Sequence, residues 1–111
     1  MDWNILESIS QLDEIKELSG EKPVLIFKHS TRCSVSGMAW DRLKRNWKKE
    51  DAEKVTPYFL DLIRHRDVSN QIEKEFSVYH ESPQVIIVKS GKAVYDNSHM
   101  GINYADIMGR V

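Results

Sequence analysis

The chain has a single cysteine, Cys33, set in the polar run Lys28-His29-Ser30-Thr31-Arg32-Cys33-Ser34-Val35-Ser36. Before the run, Val24-Leu25-Ile26-Phe27 reads as a strand covered on both faces, being apolar without alternation and directly preceded by Pro23. After it, Val35, Ala39, Leu43 and Trp47 recur every four residues with Met38 beside them, which predicts an amphipathic helix of about 14 residues. Cys33 is therefore expected at a strand-to-helix turn, where unpaired backbone N–H groups and the helix dipole favour an anion. Lys28, His29 and Arg32 add positive charge nearby. Both effects lower a thiol's pKa from its ordinary ~8.5, so the expected chemistry is nucleophilic attack by a sulfur anion. The other reading is an inert cysteine buried as a small apolar residue, and flanking Thr31, Arg32 and Ser34 argue against it.

Ser36 stands where a Cys-x-x-Cys pair has its second thiol, and a hydroxyl cannot resolve a mixed disulfide. Any exchange must then use a thiol from another molecule. Ser34 and Ser36 also suit a helix start, where hydroxyls satisfy orphan N–H groups. Ser82-Pro83 precedes the strand Gln84 to Val88; on local grounds a trans bond is expected, whereas cis would expose the preceding backbone to an extended ligand. His80 and Glu81 line the same groove, with His80 a candidate for proton transfer to a leaving thiolate. For His29 two readings stay open, pairing with the thiolate or closing the strand end. Trp40 and Trp47 read as packing residues on the long helix. The histidines at 29, 65, 80 and 99 lack metal-ligand spacing, so no metal site is expected.

These residues need a scaffold, and the remaining pattern supplies one. Trp3 to Leu6 fits a short strand or a helical lead-in, the strand being favoured. Ser10-x-x-Asp13 resembles a helix-start box, and Leu12, Ile15 and Leu18 follow before Gly20 and Pro23, predicting a helix over Gln11 to Leu18. Val55 to Leu62 is a second strand, with Pro57 tolerable outside the ladder. Asp67 opens a helix bearing Val68, Ile72 and Phe76. Val85 to Val88 and Ala93-Val94-Tyr95 flank Gly91 as an antiparallel hairpin. Asn103-x-x-Asp106 begins a short last helix with Ile107. Strand–helix alternation followed by a hairpin implies a mostly parallel sheet with an antiparallel addition and helices on both faces.

The length of 111 residues has room for one core. Hydrophobic residues at 41% exclude a disordered chain, and 16 basic against 17 acidic residues leave no overall field for nucleic acid or anionic lipid. No apolar run approaches the ~20 residues of a membrane span, and no leader pattern is seen after Met1-Asp2-Trp3. One cysteine rules out an intramolecular disulfide.

The strand-turn-Cys33-helix, the proline before the next-to-last strand and the element order resemble the thioredoxin superfamily over nearly the whole chain. Within it, Phe27 to Ser36 resembles the signature of the monothiol bacilliredoxins, redox-active proteins of the bacillithiol system with a Thr-Cys-Pro-Ile-Ser type site. Two positions depart from that pattern: Arg32 intervenes between Thr31 and Cys33, and Ser34 stands where proline is common.

The resemblance implies an α/β thioredoxin-like fold, one domain over 1–111, with a mixed sheet, helices on both faces and Pro83 in cis. It implies a thiol–disulfide oxidoreductase in which Cys33 takes bacillithiol from a protein mixed disulfide and a free thiol regenerates it. Substrate contacts fall to Lys28, Thr31, Arg32, Ser34, Ser36, Ser82 and Pro83, with Lys28, Arg32 and Arg64 or Arg66 suited to the malate carboxylates of bacillithiol. No bound cofactor is expected; bacillithiol is a co-substrate, and bacillithiolated client proteins and low-molecular-weight thiols are the partners of a cytoplasmic monomer. Glutathione or coenzyme A are alternative small thiols. A different class of function is a non-catalytic binding module, or a monothiol glutaredoxin-like iron–sulfur or thiol carrier. The usual Cys-Gly-Phe-Ser of the latter is replaced here, Ser34 and Val35 holding its two middle positions.

Overall fold

The computed structural model describes residues 3–111. Its five strands are β1 (Asn4–Ile5), β2 (Val24–His29), β3 (Thr56–Asp61), β4 (Gln84–Lys89) and β5 (Lys92–Ser98). They form one sheet in the order β1-β3-β2-β4-β5. β1, β3 and β2 run parallel, while β4 is antiparallel to β2 and β5 to β4. The helices are α1 (Ser10–Leu18), α2 (Ser34–Asn46), α3 (Asp51–Lys54), α4 (Arg66–Phe76) and α5 (Tyr104–Met108), with a 3-10 turn at His99–Gly101.

Alternation along the central strands divides the core. Val24 and Ile26 of β2 and Ile86 and Val88 of β4 pack with Leu12 and Ile15 of α1 and Val68, Ile72 and Phe76 of α4. On the other face Leu25, Phe27, Val85 and Ile87 meet Ala39 and Leu43 of α2 and Ile107 of α5. All eight of these strand residues are fully buried, as the unbroken apolar runs predict. The α2 face also holds an aromatic cluster: Trp3 lies 5.0 Å from Trp40 and 4.9 Å from Trp47, and Trp40 lies 4.7 Å from Phe59. Trp40 and Trp47 are thus packing residues.

Several boundaries differ from the sequence expectation for local reasons. The first strand is only Asn4–Ile5, although Leu6 N–H continues the pairing by donating to Phe59 O at 2.8 Å. α1 starts at Ser10, and its entry is closed by Gln11, whose Oε1 accepts from Glu7 N–H at 2.7 Å and Ser8 N–H at 3.0 Å, so the Ser10–Asp13 box is not the cap. α4 begins at Arg66, two residues before Val68, with Asp67 inside its first turn. α3 and the 3-10 turn are too short to show a period in the sequence. α5 opens as expected, the Asn103 side chain accepting from Asp106 N–H.

The hairpin turn between β4 and β5 puts Ser90 and Gly91 at φ of 50° and 78°, the left-handed pair that a two-residue connection requires. It is tied down by Ser19: Ser90 N–H donates to its carbonyl and Gly91 N–H to its Oγ, both at 2.8 Å. A bulge at Ile87/Val88 interrupts the β4–β5 register. Among the described residues no helix is long and apolar enough to cross a membrane.

Candidate active site

β2 ends at His29, and Cys33 is the N-cap of α2, in extended conformation at φ −116° and ψ 118°. The intervening turn is closed by Cys33 N–H donating to Ser30 O at 3.2 Å, and α2 begins with Gly37 N–H on Cys33 O at 3.2 Å. Cys33 is a free, partly exposed cysteine. Thr31, Arg32 and Ser34 around it are exposed. The α2 start therefore presents one partly exposed cysteine in a polar rim, at the helix end that favours an anion.

Ser36 has a different role from its exposed neighbour Ser34. It is fully buried, taking the core-facing place expected for Val35, which is half-buried. Its Oγ accepts from Ser30 N–H at 2.9 Å and lies 2.8 Å from His29 Nδ1. The hydroxyl has a second lone pair and a proton, so it can meet Nδ1 as acceptor or as donor, according to the His29 tautomer. Burial lowers the His29 pKa, with Asp61 and Asp41 opposing and Lys44 assisting, so the ring is neutral near pH 7. Of the two readings for His29, this geometry supports closing the strand end: Ser36 and His29 clasp β2 to α2 across the Cys33 turn.

Ser82-Pro83 is a cis peptide. The antiparallel register pairs Lys28 with Gln84, so Ser82 and Pro83 continue alongside the turn that carries Cys33. Pro83 O accepts from His99 N–H at 3.0 Å, which brings the 3-10 turn to the same end of the sheet. The Ser82 hydroxyl is buried and has no hydrogen-bond partner among the described residues, leaving a donor free beside the turn.

Lys28 departs from the expectation that it would supply charge to the thiol or its ligand. Strand alternation turns it to the α4 face, opposite to His29 and α2, and it is 1% exposed. Its Nζ lies 2.7 Å from His80 Nδ1, which Ser69 Oγ of α4 also approaches at 3.3 Å. Burial lowers Lys28 from 10.5 to about 8, Glu73 and Glu81 opposing the fall and Arg66 assisting it. With Lys28 buried on the far face and His29 only half-exposed, Arg32 alone of the three expected cations is an exposed charge beside Cys33. Arg64 lines an open crevice of about 310 Å³ with Ile5, Glu7, Phe59, Asp61 and His65, where Asp61 pairs in register with His29 of β2. Arg66 acts electrostatically on Lys28 and His80, and is thus on the α4 side. The turn thus carries Thr31, Arg32, Cys33 and Ser34 with Ser36 buried in α2, the strand register brings Ser82 and Pro83 alongside, and Lys28 is turned to the other face.

Sequence reasoning missed the Lys28–His80–Ser69 cluster and the Ser36–His29 clasp. The signal was strand length: carrying β2 two residues past Phe27 puts Lys28 and His29 on opposite faces.

A lone sulfur at this strand-to-helix turn, beside a proline-led strand, is the site of a thiol redox protein on the thioredoxin fold. The fold is shared with a solved chain described as an oxidoreductase with a thioredoxin fold, 30% identical, covering 96% of this chain and 90% of that one with a TM-score of 0.79. The thioredoxin of Malassezia sympodialis is 15% identical over 98% of this chain and 87% of its own, at TM-score 0.76. That of Fasciola hepatica is 13% identical over 96% and 94%, at TM-score 0.72. The family model for monothiol bacilliredoxin BrxC matches residues 4–107, and the chain belongs to that family.

Proposed function

We propose that the chain removes bacillithiol from protein mixed disulfides through Cys33. The observation that carries this reading is the pairing of one partly exposed cysteine with a buried serine three residues on, whose hydroxyl is already committed to Ser30 and His29. No second nucleophile of the chain stands by to resolve a disulfide, so the chemistry is exchange between molecules.

In the first step the Cys33 thiolate attacks the bacillithiol sulfur of the mixed disulfide. The Cys33–bacillithiol bond forms, the old disulfide bond breaks, and the client leaves as a thiolate that takes a proton from water. In the second, a free bacillithiol thiolate attacks the same sulfur, releasing bacillithiol disulfide and restoring Cys33. Each step conserves electrons within the sulfurs. In this reading Arg32 is the exposed cation for the malate carboxylates, Thr31 and Ser34 are the exposed hydroxyl donors, and the backbone before Pro83 pairs with an extended client. The cytoplasm, where thiols are kept reduced, is the compartment this cycle needs.

Mass spectrometry after incubation with a bacillithiolated protein tests the reading. A bacillithiol increment on Cys33, absent from Cys33→Ser, is expected. Transfer from a glutathionylated control but from no bacillithiolated protein would overturn the choice of thiol.

A further inference from the structure

The Lys28–His80 pair has no part in the exchange chemistry, yet it buries an amine against an imidazole, an arrangement that is unfavourable unless both groups are satisfied. The segment it touches is the one that flanks Cys33. His80 N–H donates to Glu73 Oε2 at 2.6 Å, Gln84 Nε2 donates to Tyr79 O at 2.9 Å, and His99 Nε2 pairs with Glu81 Oε2 at 2.7 Å. These ties run to α4, to β4 and to the 3-10 turn. Among the described residues, the side-chain hydrogen bond from this segment to β2, the strand that leads into the Cys33 turn, is that of His80.

We propose that Lys28 and His80 are positioning residues for thiol exchange: their contact on the far face of the sheet fixes residues 80–83 relative to the Cys33 turn, setting the width of the groove an extended client must enter. The inference rests on the exchange reading above. A lysine ammonium only donates, so Nδ1 of His80 accepts from Lys28 Nζ at 2.7 Å, with Ser69 Oγ 3.3 Å away, and the contact exists only while the ring is neutral. The groups facing it are Lys28 from β2, Arg66, Ser69 and Glu73 from α4, and Glu81 from the segment itself. Burial, Lys28 and Arg66 favour the neutral ring and Glu73 and Glu81 oppose them. In acid, a proton on Nδ1 turns the acceptor into a donor facing an ammonium, and the strap opens.

The test compares the full-length protein with Lys28→Met, His80→Ala and His80→Asn, whose Oδ1 stands where Nδ1 stood but does not titrate. One probe is a short peptide carrying a cysteine–bacillithiol mixed disulfide, which must lie along residues 80–83; the other is iodoacetamide, which needs only the sulfur. Lys28→Met and His80→Ala are expected to exchange about tenfold more slowly at neutral pH while alkylation stays within about twofold. His80→Asn is expected to recover most of the rate and to lose the part of the acid decline that wild type shows below pH ~6.5. Wild-type rates in the first two variants, or alkylation slowing in step with exchange, overturn the proposal. Should either fail to fold, His80→Asn decides: an acid decline identical to wild type overturns it, and a flattened one supports it. A wild-type chain inert toward the peptide yet readily alkylated overturns the exchange reading instead, and this proposal with it.

Discussion

Lys28 and His29 are neighbours in β2, and the sheet sends them to opposite faces. Lys28 meets His80, which Ser69 also approaches, while His29 meets Ser36, and the two solutions differ. On the α2 side, Ser36 Oγ accepts from the Ser30 backbone N–H and pairs with Nδ1 of His29. That closure tolerates either protonation state of His29, because a hydroxyl can donate to Nδ1 or accept from Nδ1–H. On the α4 side the imidazole of His80 is shared between an amine and the Ser69 hydroxyl. That closure depends on two protons. The contrast teaches that the turn carrying the sulfur is held in either protonation state from one face and conditionally from the other.

The largest effect that sharpens the contrast is at the sulfur itself: Cys33→Ser should abolish exchange, a loss of at least about a thousandfold, while both closures survive, as thermal unfolding would verify. Next comes Lys28→Met. Since burial holds this amine near a pKa of about 8 against 10.5 outside the fold, the folded chain disfavours the charged form. Wild-type stability should therefore rise with pH between about 8 and 10.5, and Lys28→Met should be more stable than wild type at neutral pH by up to about 3 kcal/mol, the gain shrinking toward pH 10.5. Urea unfolding at several pH values measures this, and a variant no more stable than wild type contradicts it. Greater stability with slower exchange is the signature that separates the α4 face from a merely structural patch.

Ser36→Ala should break the other face. It leaves Ser30 N–H and His29 Nδ1 without their partner in a buried place, which costs about 2 kcal/mol and should appear as a lower denaturation midpoint with unchanged slope. The smallest effect is in acid. His29 and His80 both have pKa values below the usual 6.5, so the unfolded chain binds more protons and stability falls as pH drops through 6.5. His80→Asn should remove part of that slope; a slope unchanged in that variant assigns all of it to other groups.

Much of this was legible in the residues. Unbroken apolar runs located β2 and β4, the four-residue spacing located α2, and the polar run between them placed Cys33 at the turn. Those signals are strong because they repeat. What stayed hidden depends on where a strand stops. Reading β2 as ending at Phe27 made Lys28 a loop residue, free to reach a ligand; two more paired residues turned it inward against α4. Likewise Ser36 is legible as a helix-start residue, but its partner His29 lies seven positions earlier and meets it only once β2 and α2 are packed. The segment before Pro83 was flagged by its proline, whereas the partners of His80 come from β2 and α4, two elements that no local pattern connects.

The two rims of the sheet have a further consequence. β1 offers only two residues, and β5 turns Lys92, Val94 and Asp96 toward solvent beside the bulge at Ile87/Val88. Short length, opposite charges and a broken ladder all discourage a passing strand from adding on. High concentrations of the folded chain should then carry little tendency toward fibre-like growth, a safeguard that owes nothing to the sulfur.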